Sequence, residues 1–245
     1  MRRVQFVPGF VLHHTAYRDT SRIVELYTRD FGRLTAFARG VRGPKPRLGS
    51  ALQPFSQLLL SWSGRGEAVQ LTGAERRVES MLTDHPLPPA SLMSGYYLNE
   101  LLMKLTTRHD PMAAVFDDYV RALESLRRGE LAPALRRFEK RLLEHLGYGL
   151  DLQFDALNGE PVRSDGCYRL RAGEGLVPVQ DGDANAVAGA SLLAMAAERF
   201  DAAAVLEDAR RLLGASIEHL LEGRELSTRL VARSMLRRTR SLAAE

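Results

Sequence analysis

Three prolines within four positions, Pro86, Pro88 and Pro89, divide the chain into two stretches with different hydrophobic periods. A proline ring fixes φ and removes a backbone donor, so His85-Pro86-Leu87-Pro88-Pro89 reads as a stiff, non-helical connector. Before it, apolar residues tend to recur at every second position; after it, at every third or fourth. The organisation this predicts is α+β with more than one domain. A small barrel occupies residues 1–80, a proline-rich connector 81–90, and a mainly helical domain 91–245 with a turn-rich insertion at 150–188. A chain of 245 residues is long enough for two cores of ordinary size.

Phe6 to Thr15 reads as the first strand and Ser21 to Thr28 as the second, with Ile23, Glu25 and Tyr27 alternating against Val24 and Leu26. Leu34, Ala36 and Ala38 form one face of a third strand, Thr35 and Phe37 the other. Phe55 to Trp62 and Ala68 to Val78 complete the set. Five short strands fit a closed OB-type barrel; other small barrels and open sheets give the same count. Between the third and fourth strands, Gly40-Val41-Arg42-Gly43-Pro44-Lys45-Pro46-Arg47 forms a basic loop whose glycines and prolines exclude regular structure.

Beyond the connector, Leu98, Leu101, Leu102 and Leu105 recur at helical spacing. Asp110-Pro111 reads as the capped start of a second helix with a buried stripe of Phe116, Tyr119, Val120 and Leu123. Leu135, Phe138, Leu142 and Leu146 mark a third, ended by Gly147. The three read as one packed bundle. In the insertion, Asn158-Gly159, Asp165-Gly166 and Asp181-Gly182 predict turns around two short strands. Helices then resume, with Ser191 as a cap, and the last segment carries Arg229, Arg233, Arg237, Arg238 and Arg240.

The residues argue against several classes of chemistry. There is no phosphate-binding loop, no dinucleotide fingerprint beyond Gly64-Arg65-Gly66, no nucleophile elbow and no His-Glu-x-x-His motif. His13 and His14 are neighbours on a strand and point to opposite faces, which suits an ordinary strand pair better than a metal site. Asp117-Asp118 reads as a solvated helical pair. A single cysteine, Cys167, can form no intramolecular disulfide and cannot alone supply a zinc site, so no metal or other cofactor is expected. Met1-Arg2-Arg3 before an apolar run imitates a signal peptide, but Pro8-Gly9 interrupts the run, and the expected location is the cytoplasm.

What remains is charge. Residues 1–80 hold thirteen basic and six acidic residues, leaving 21 basic and 24 acidic of the 34 and 30 for the rest. A polyanion-binding surface therefore belongs in the first third. Arg39, Arg42, Lys45 and Arg47, close to Arg33, are the candidate DNA-binding cations, with Tyr17, Tyr27, Phe37 and Trp62 nearby. Cations that follow phosphates and rings that accept bases are the ingredients of a single-strand site. The alternative is a solvated basic face, with Trp62 and Phe37 in the barrel core.

Several ordered blocks carry a family resemblance: Gly9-Phe10-Val11-Leu12-His13, Asp19-Thr20-Ser21-Arg22-Ile23, Tyr27-Thr28-Arg29-Asp30-Phe31-Gly32-Arg33-Leu34, Leu52-Gln53-Pro54-Phe55, Tyr97-Leu98-Asn99-Glu100-Leu101-Leu102 and Leu135-Arg136-Arg137-Phe138-Glu139. In this order the chain resembles the RecO family of recombination mediators. The resemblance implies an OB barrel joined to a helical domain, binding of single- and double-stranded DNA, and annealing of complementary strands. It also implies help in replacing single-strand-binding protein with recombinase at the nucleoid, RecR as a partner, and no enzymatic activity. It further implies that the helical domain captures the acidic tail of single-strand-binding protein, which ends in an aromatic residue and a carboxylate. Arg136 and Arg137, beside Phe138 and expected near Val120 and Leu123, could supply a cation and an apolar pocket. The alternative is that they pair with Glu139, Glu144 or Asp118. Many members carry two zinc-binding cysteine pairs; this sequence keeps only Cys167 and resembles a zinc-free branch. Rival readings are an OB-type RNA-binding module, a protein adaptor that does not bind DNA, and a hydrolase with an unrecognised site.

Overall fold

The computed structural model describes residues 3–41, 48, 51–77, 86–171 and 173–242, with side chains in the last helix as far as Met235. The chain forms two compact units, residues 1–129 with 226–245 and residues 130–225. No helix among the described residues is long and apolar enough to cross a membrane.

The first unit is built on a closed five-stranded barrel of β1 (Arg3–Tyr17), β2 (Ser21–Thr28), β3 (Gly32–Ala38), β4 (Leu58–Ser63) and β5 (Ala68–Arg76), in the order β1-β2-β3-β5-β4. The alternation expected in the sequence sets its inside, where Val11, Val24, Leu26, Leu34, Ala36, Leu60 and Trp62 meet. Parallel pairing of β3 with β5, Thr35 opposite Ala68 and Phe37 opposite Gln70, closes the barrel. β1 is long enough to serve two neighbours, pairing with β2 along residues 9–17 and with β4 along residues 3–9. Two irregularities bend it. Leu12 has no partner in the β2 ladder, and Gln5 with Phe6 faces the single residue Ser61 of β4. At the second, Phe6 has a φ of 55°. A left-handed non-glycine residue costs about 1–3 kcal/mol and persists where its surroundings fix it. Here the Phe6 amide donates to Ser61 Oγ at 3.1 Å.

Helices α1 (Leu92–Leu105) and α2 (Ala113–Arg127) belong to this same unit and cover the middle of the outer β1-β2 face. Phe10 packs on Phe116 and Tyr119, and Tyr27 on the same two rings. Between them Asn99, 2% exposed, donates to the Leu12 carbonyl at 2.8 Å and accepts from the Tyr119 hydroxyl at 2.6 Å. The carbonyl at a break in the sheet ladder is thus satisfied by the helix that docks there. Helix α2 begins at Ala113, later than the Asp110 start expected, and Asp110 caps nothing. The chain before it is instead drawn against the β2-β3 turn, where the His109 amide donates to the Arg33 carbonyl at 2.8 Å. A Cβ on Gly32, which has φ +65°, would lie 2.2 Å from the Asp110 carbonyl oxygen. β4 starts at Leu58 rather than Phe55, because Phe55 is left-handed and its ring packs on Gly95 of α1. The last helix, α6 (Ser227–Leu242), has its first turn capped by Glu100, which accepts from the Ser227 and Thr228 amides.

The second unit contains α3 (Leu131–His145), a three-stranded sheet, and helices α4 (Gly189–Ala196) and α5 (Ala203–Leu220). The three helices expected as one bundle are therefore divided: α1 and α2 bury their apolar stripes with the barrel, while α3 packs on α5. Ser191 lies inside α4 and does not cap it. The insertion forms three strands rather than two: β6 (Cys167–Arg171), β7 (Gly175–Val179) and β8 (Val187–Ala188), in the order β7-β6-β8. Its irregular lead-in is organised by the buried Asp155 carboxylate, which accepts the amides of Leu157, Asn158 and Glu160.

Glu25 gives a testable consequence of this packing. Its carboxylate accepts from Thr35 Oγ1 at 2.6 Å, Arg108 at 2.8 Å and Arg33 at 3.3 Å. Burial alone would raise this carboxyl, but hydrogen bonds from Arg108 and Thr35 and the two guanidinium charges outweigh it and hold it below the usual range. A depressed folded-state value stabilises the fold above the ordinary carboxylate pKa, and that contribution is lost as pH falls through the lowered value. Glu25→Gln should cost about 2 kcal/mol at pH 7 and flatten the acid limb of the stability curve below pH ~4.5. Urea unfolding at several pH values checks both; parallel wild-type and variant curves would contradict the assignment.

Candidate nucleic-acid interface

On the outer surface of the barrel, beyond the part covered by α1 and α2, the same faces of β1, β2 and β3 continue to their ends. Tyr17 lies opposite Ser21, and Ile23 opposite Phe37. The Tyr17 and Phe37 rings are half-buried with centroids 5.5 Å apart, inclined by 50°. Arg18, left-handed in the turn after β1, sets its guanidinium 5.2 Å from the Tyr17 ring centre. Arg39 follows β3 directly and is exposed. Arg22, opposite Ala16 and Ala38, alternates to the other face of the sheet from the two rings, and its Nη1 is buried there without a hydrogen-bond partner among the described residues. Gln70 of β5 donates to the Phe37 carbonyl at 2.8 Å, tying the rings to the barrel's closing strand. Burial, and then the Arg22 charge, hold His14 below the usual histidine range. Two rings with cations around them form a surface able to accept bases and neutralise phosphates.

The candidate cations do not all gather here. Arg33 is only 11% exposed; it pairs with Glu25 and donates to the Thr106 carbonyl at 2.7 Å. It joins β3 to the segment after α1 and is not free to meet a phosphate, which corrects the expectation for this residue. Arg39 is placed as an exposed cation beside Phe37, while Arg42, Lys45 and Arg47 lie outside the described residues. Among the aromatics, Tyr27 and Trp62 are buried, Trp62 edge-on to Phe31 at 5.1 Å. Phe37 is on the outside, not in the core. Arg18 was missed by the sequence reading, although its place beside Tyr17 in a turn was a usable signal.

In the second unit, Arg136 is 10% exposed on α3 and donates to Glu139, itself fully buried, at 2.8 Å. That is the intrahelical pairing weighed as the alternative, and it removes Arg136 from any ligand surface. Arg137 is one-third exposed, lies 5.7 Å from the centre of the Phe200 ring and donates to the Glu198 carbonyl at 3.4 Å. Phe138 is buried. Val120, half-buried, and Leu123, buried, belong to the first unit rather than to the one that holds the arginines. A more open apolar site in the second unit is a trough of about 450 Å³ lined by Phe154, Pro161, Val162 and Leu193, with exposed Arg199 at it. The Cys167 thiol donates to Asp181 at 2.9 Å, a bond that raises its pKa. Among the described residues no group of three His, Cys, Asp or Glu is arranged to hold a metal ion.

Comparison with known proteins agrees with the barrel-and-helix order. Residues 1–77 match the model for the N-terminal part of recombination protein O, and residues 89–229 the model for its C-terminal part. The chain is 42% identical over 233 residues to DNA repair protein RecO of Methylococcus capsulatus, covering 95% of this chain and 94% of that one. It is 39% identical over 236 residues to DNA repair protein RecO of Aromatoleum aromaticum, with 96% and 97% covered. DNA repair protein RecO of Azoarcus sp. strain BH72 is 40% identical over 241 residues, with 96% and 98% covered. With both family models and near full-length similarity in agreement, the chain belongs to the RecO family of DNA repair proteins.

Proposed function

We propose that this protein is a non-enzymatic recombination mediator of the cytoplasm and nucleoid. It binds single- and double-stranded DNA through its barrel, anneals complementary strands, and with RecR helps load recombinase onto strands covered by single-strand-binding protein. The observation that carries this reading is the Tyr17-Phe37 ring pair flanked by Arg18 and Arg39 on an otherwise closed barrel. Annealing brings two polyanions together. A surface that neutralises phosphates lowers their repulsion and leaves base edges free to pair, so no covalent step is required.

The rings and the cations contribute in separable ways. Replacing Arg42, Lys45 and Arg47 together by alanine should flatten the dependence of log affinity on log salt by about 2 units on single strands, at ~0.7 per phosphate contact. Tyr17→Ala with Phe37→Ala should instead weaken binding by about 1–3 kcal/mol per lost stack at every salt concentration, leaving the slope as it was. Salt titrations with a labelled oligodeoxynucleotide distinguish the two. Unchanged slope in the first variant would remove the loop cations from the site, unchanged affinity in the second would remove the ring pair, and equal competition by RNA would favour a general single-strand module.

The tail of single-strand-binding protein asks for an apolar pocket and a cation. The trough at Phe154, Val162 and Leu193 with Arg199 supports this role better than Arg136, whose guanidinium is held by Glu139. Arg199→Glu should weaken a labelled tail peptide by about 2 kcal/mol or more, while DNA binding persists. Arg137→Glu is the control for the original assignment. A tail affinity lost in Arg137→Glu and kept in Arg199→Glu would return the site to α3.

A further inference from the structure

We propose that Phe6 is a second nucleobase-stacking site on the barrel, able to hold a second single strand apart from the one at Tyr17 and Phe37. This rests on the reading that the barrel binds single strands. Gln5 and Phe6 bulge against Ser61, and Phe6 takes the left-handed conformation that glycine adopts without steric cost. A phenylalanine is a poor choice for that position by folding alone, and its ring does not compensate by burial, since Phe6 is 56% exposed. The bulge leaves the ring in solvent, and the hydrogen bond from the Phe6 amide to Ser61 Oγ holds the bulged backbone.

The surroundings fit a base and a phosphate better than an apolar protein partner. Beside the ring, β4 offers Ser61, and the next strand, β5, offers Gly73 opposite it, so no bulky side chain stands there. Thr72 next to Gly73 is exposed. Arg3, opposite Ser63 two positions along β4 from Ser61, and Arg65 in the β4-β5 turn are exposed and in no ion pair among the described residues; Glu67 and Glu75 are the exposed acids of the same turn and strand. One ring on a small polar floor with the exposed Arg3 and Arg65 along the same strand pair fits single-strand recognition, whereas the core of a protein interface gathers several apolar groups.

Position makes the site useful. Phe6 and Tyr17 are eleven residues apart on one strand, up to about 36 Å at 3.3 Å per residue. Phe10 and Leu12, between them, are covered by α1 and α2. Two strands can therefore be held on the same barrel without competing for the same rings, and complementary strands are brought together there.

The test uses the full chain as wild type, Phe6→Gly and Phe6→Trp. Glycine suits the bulge, so Phe6→Gly is expected to unfold at no lower temperature than wild type. With the first site saturated by one labelled oligodeoxynucleotide, a second, non-complementary one is titrated in, and annealing of complementary strands is timed separately. Phe6→Gly should weaken the second strand by between about fivefold and a hundredfold, the loss of one base stack, and slow annealing, while first-strand affinity stays unchanged and Phe6→Trp restores both. Second-strand binding and annealing at wild-type levels in Phe6→Gly would overturn the proposal, as expected if the ring anchors a protein instead. A wild type that takes only one strand overturns it too but leaves the Tyr17-Phe37 site standing. A wild type that takes none would sink the reading beneath it.

Discussion

The Leu12 carbonyl is the point on which the first unit turns. Where β1 slips register between Val11 and His13, one backbone group is left without a place in the sheet, in a position covered by helices and closed to water. An unsatisfied buried carbonyl is costly, and the Asn99 amide supplies the missing donor. The Tyr119 hydroxyl, bonded to the other end of that amide, fixes which way it points and joins α2 to α1 and the strand. The aromatic cluster of Phe10, Tyr27, Phe116 and Tyr119 then closes over the network. Barrel and helices form one core here, and the Arg29-Asp117 pair and the Glu25 cluster lie around it.

That arrangement decides which parts of the barrel are left for ligands. With the helices seated on its middle, β1 keeps only its two ends outside, and each end carries a ring. The Tyr17 end gains Phe37, Arg18 and Arg39 from neighbouring strands and turns. The Phe6 end has its bulge and the open floor of Ser61 and Gly73. The same division explains the fate of the arginines. Those near the helices, Arg29, Arg33 and Arg127, are engaged by Asp117, Glu25 and the Phe55 carbonyl, whereas Arg18 and Arg39, away from them, face solvent.

Much of this was legible in the sequence where a short-range pattern sufficed. The alternation of Ile23 to Tyr27 fixed the inner and outer faces of β2, and Glu139, at i,i+3 from Arg136, stood among the three acids weighed as alternative partners for an arginine that was assigned to a ligand. What could not be read depended on residues far apart in the chain. Arg33 looks like a solvated turn arginine until Thr106 arrives from 73 positions away. Phe37 shares a face of β3 with Arg33 and Thr35, opposite Leu34, Ala36 and Ala38, so the alternation already gave its direction; the size of the ring made a core position the competing reading until the closed barrel set that face outside. Nothing in Val4-Gln5-Phe6-Val7 announces a bulge, because the extra residue is defined only by its partner strand. The three helices after the prolines carry similar stripes, and only packing divides them between two units.

If the barrel binds as proposed, DNA lies on its uncovered outer face. Photocross-linking of the full chain to oligodeoxynucleotides carrying 5-iodouracil, followed by peptide mapping, tests it most directly, because the halogenated base reacts with the aromatic side chain stacked on it. Adducts are expected at Tyr17 or Phe37, and none at the buried Tyr27 and Trp62. Adducts confined to residues 130–225, with the barrel unmodified, would contradict it.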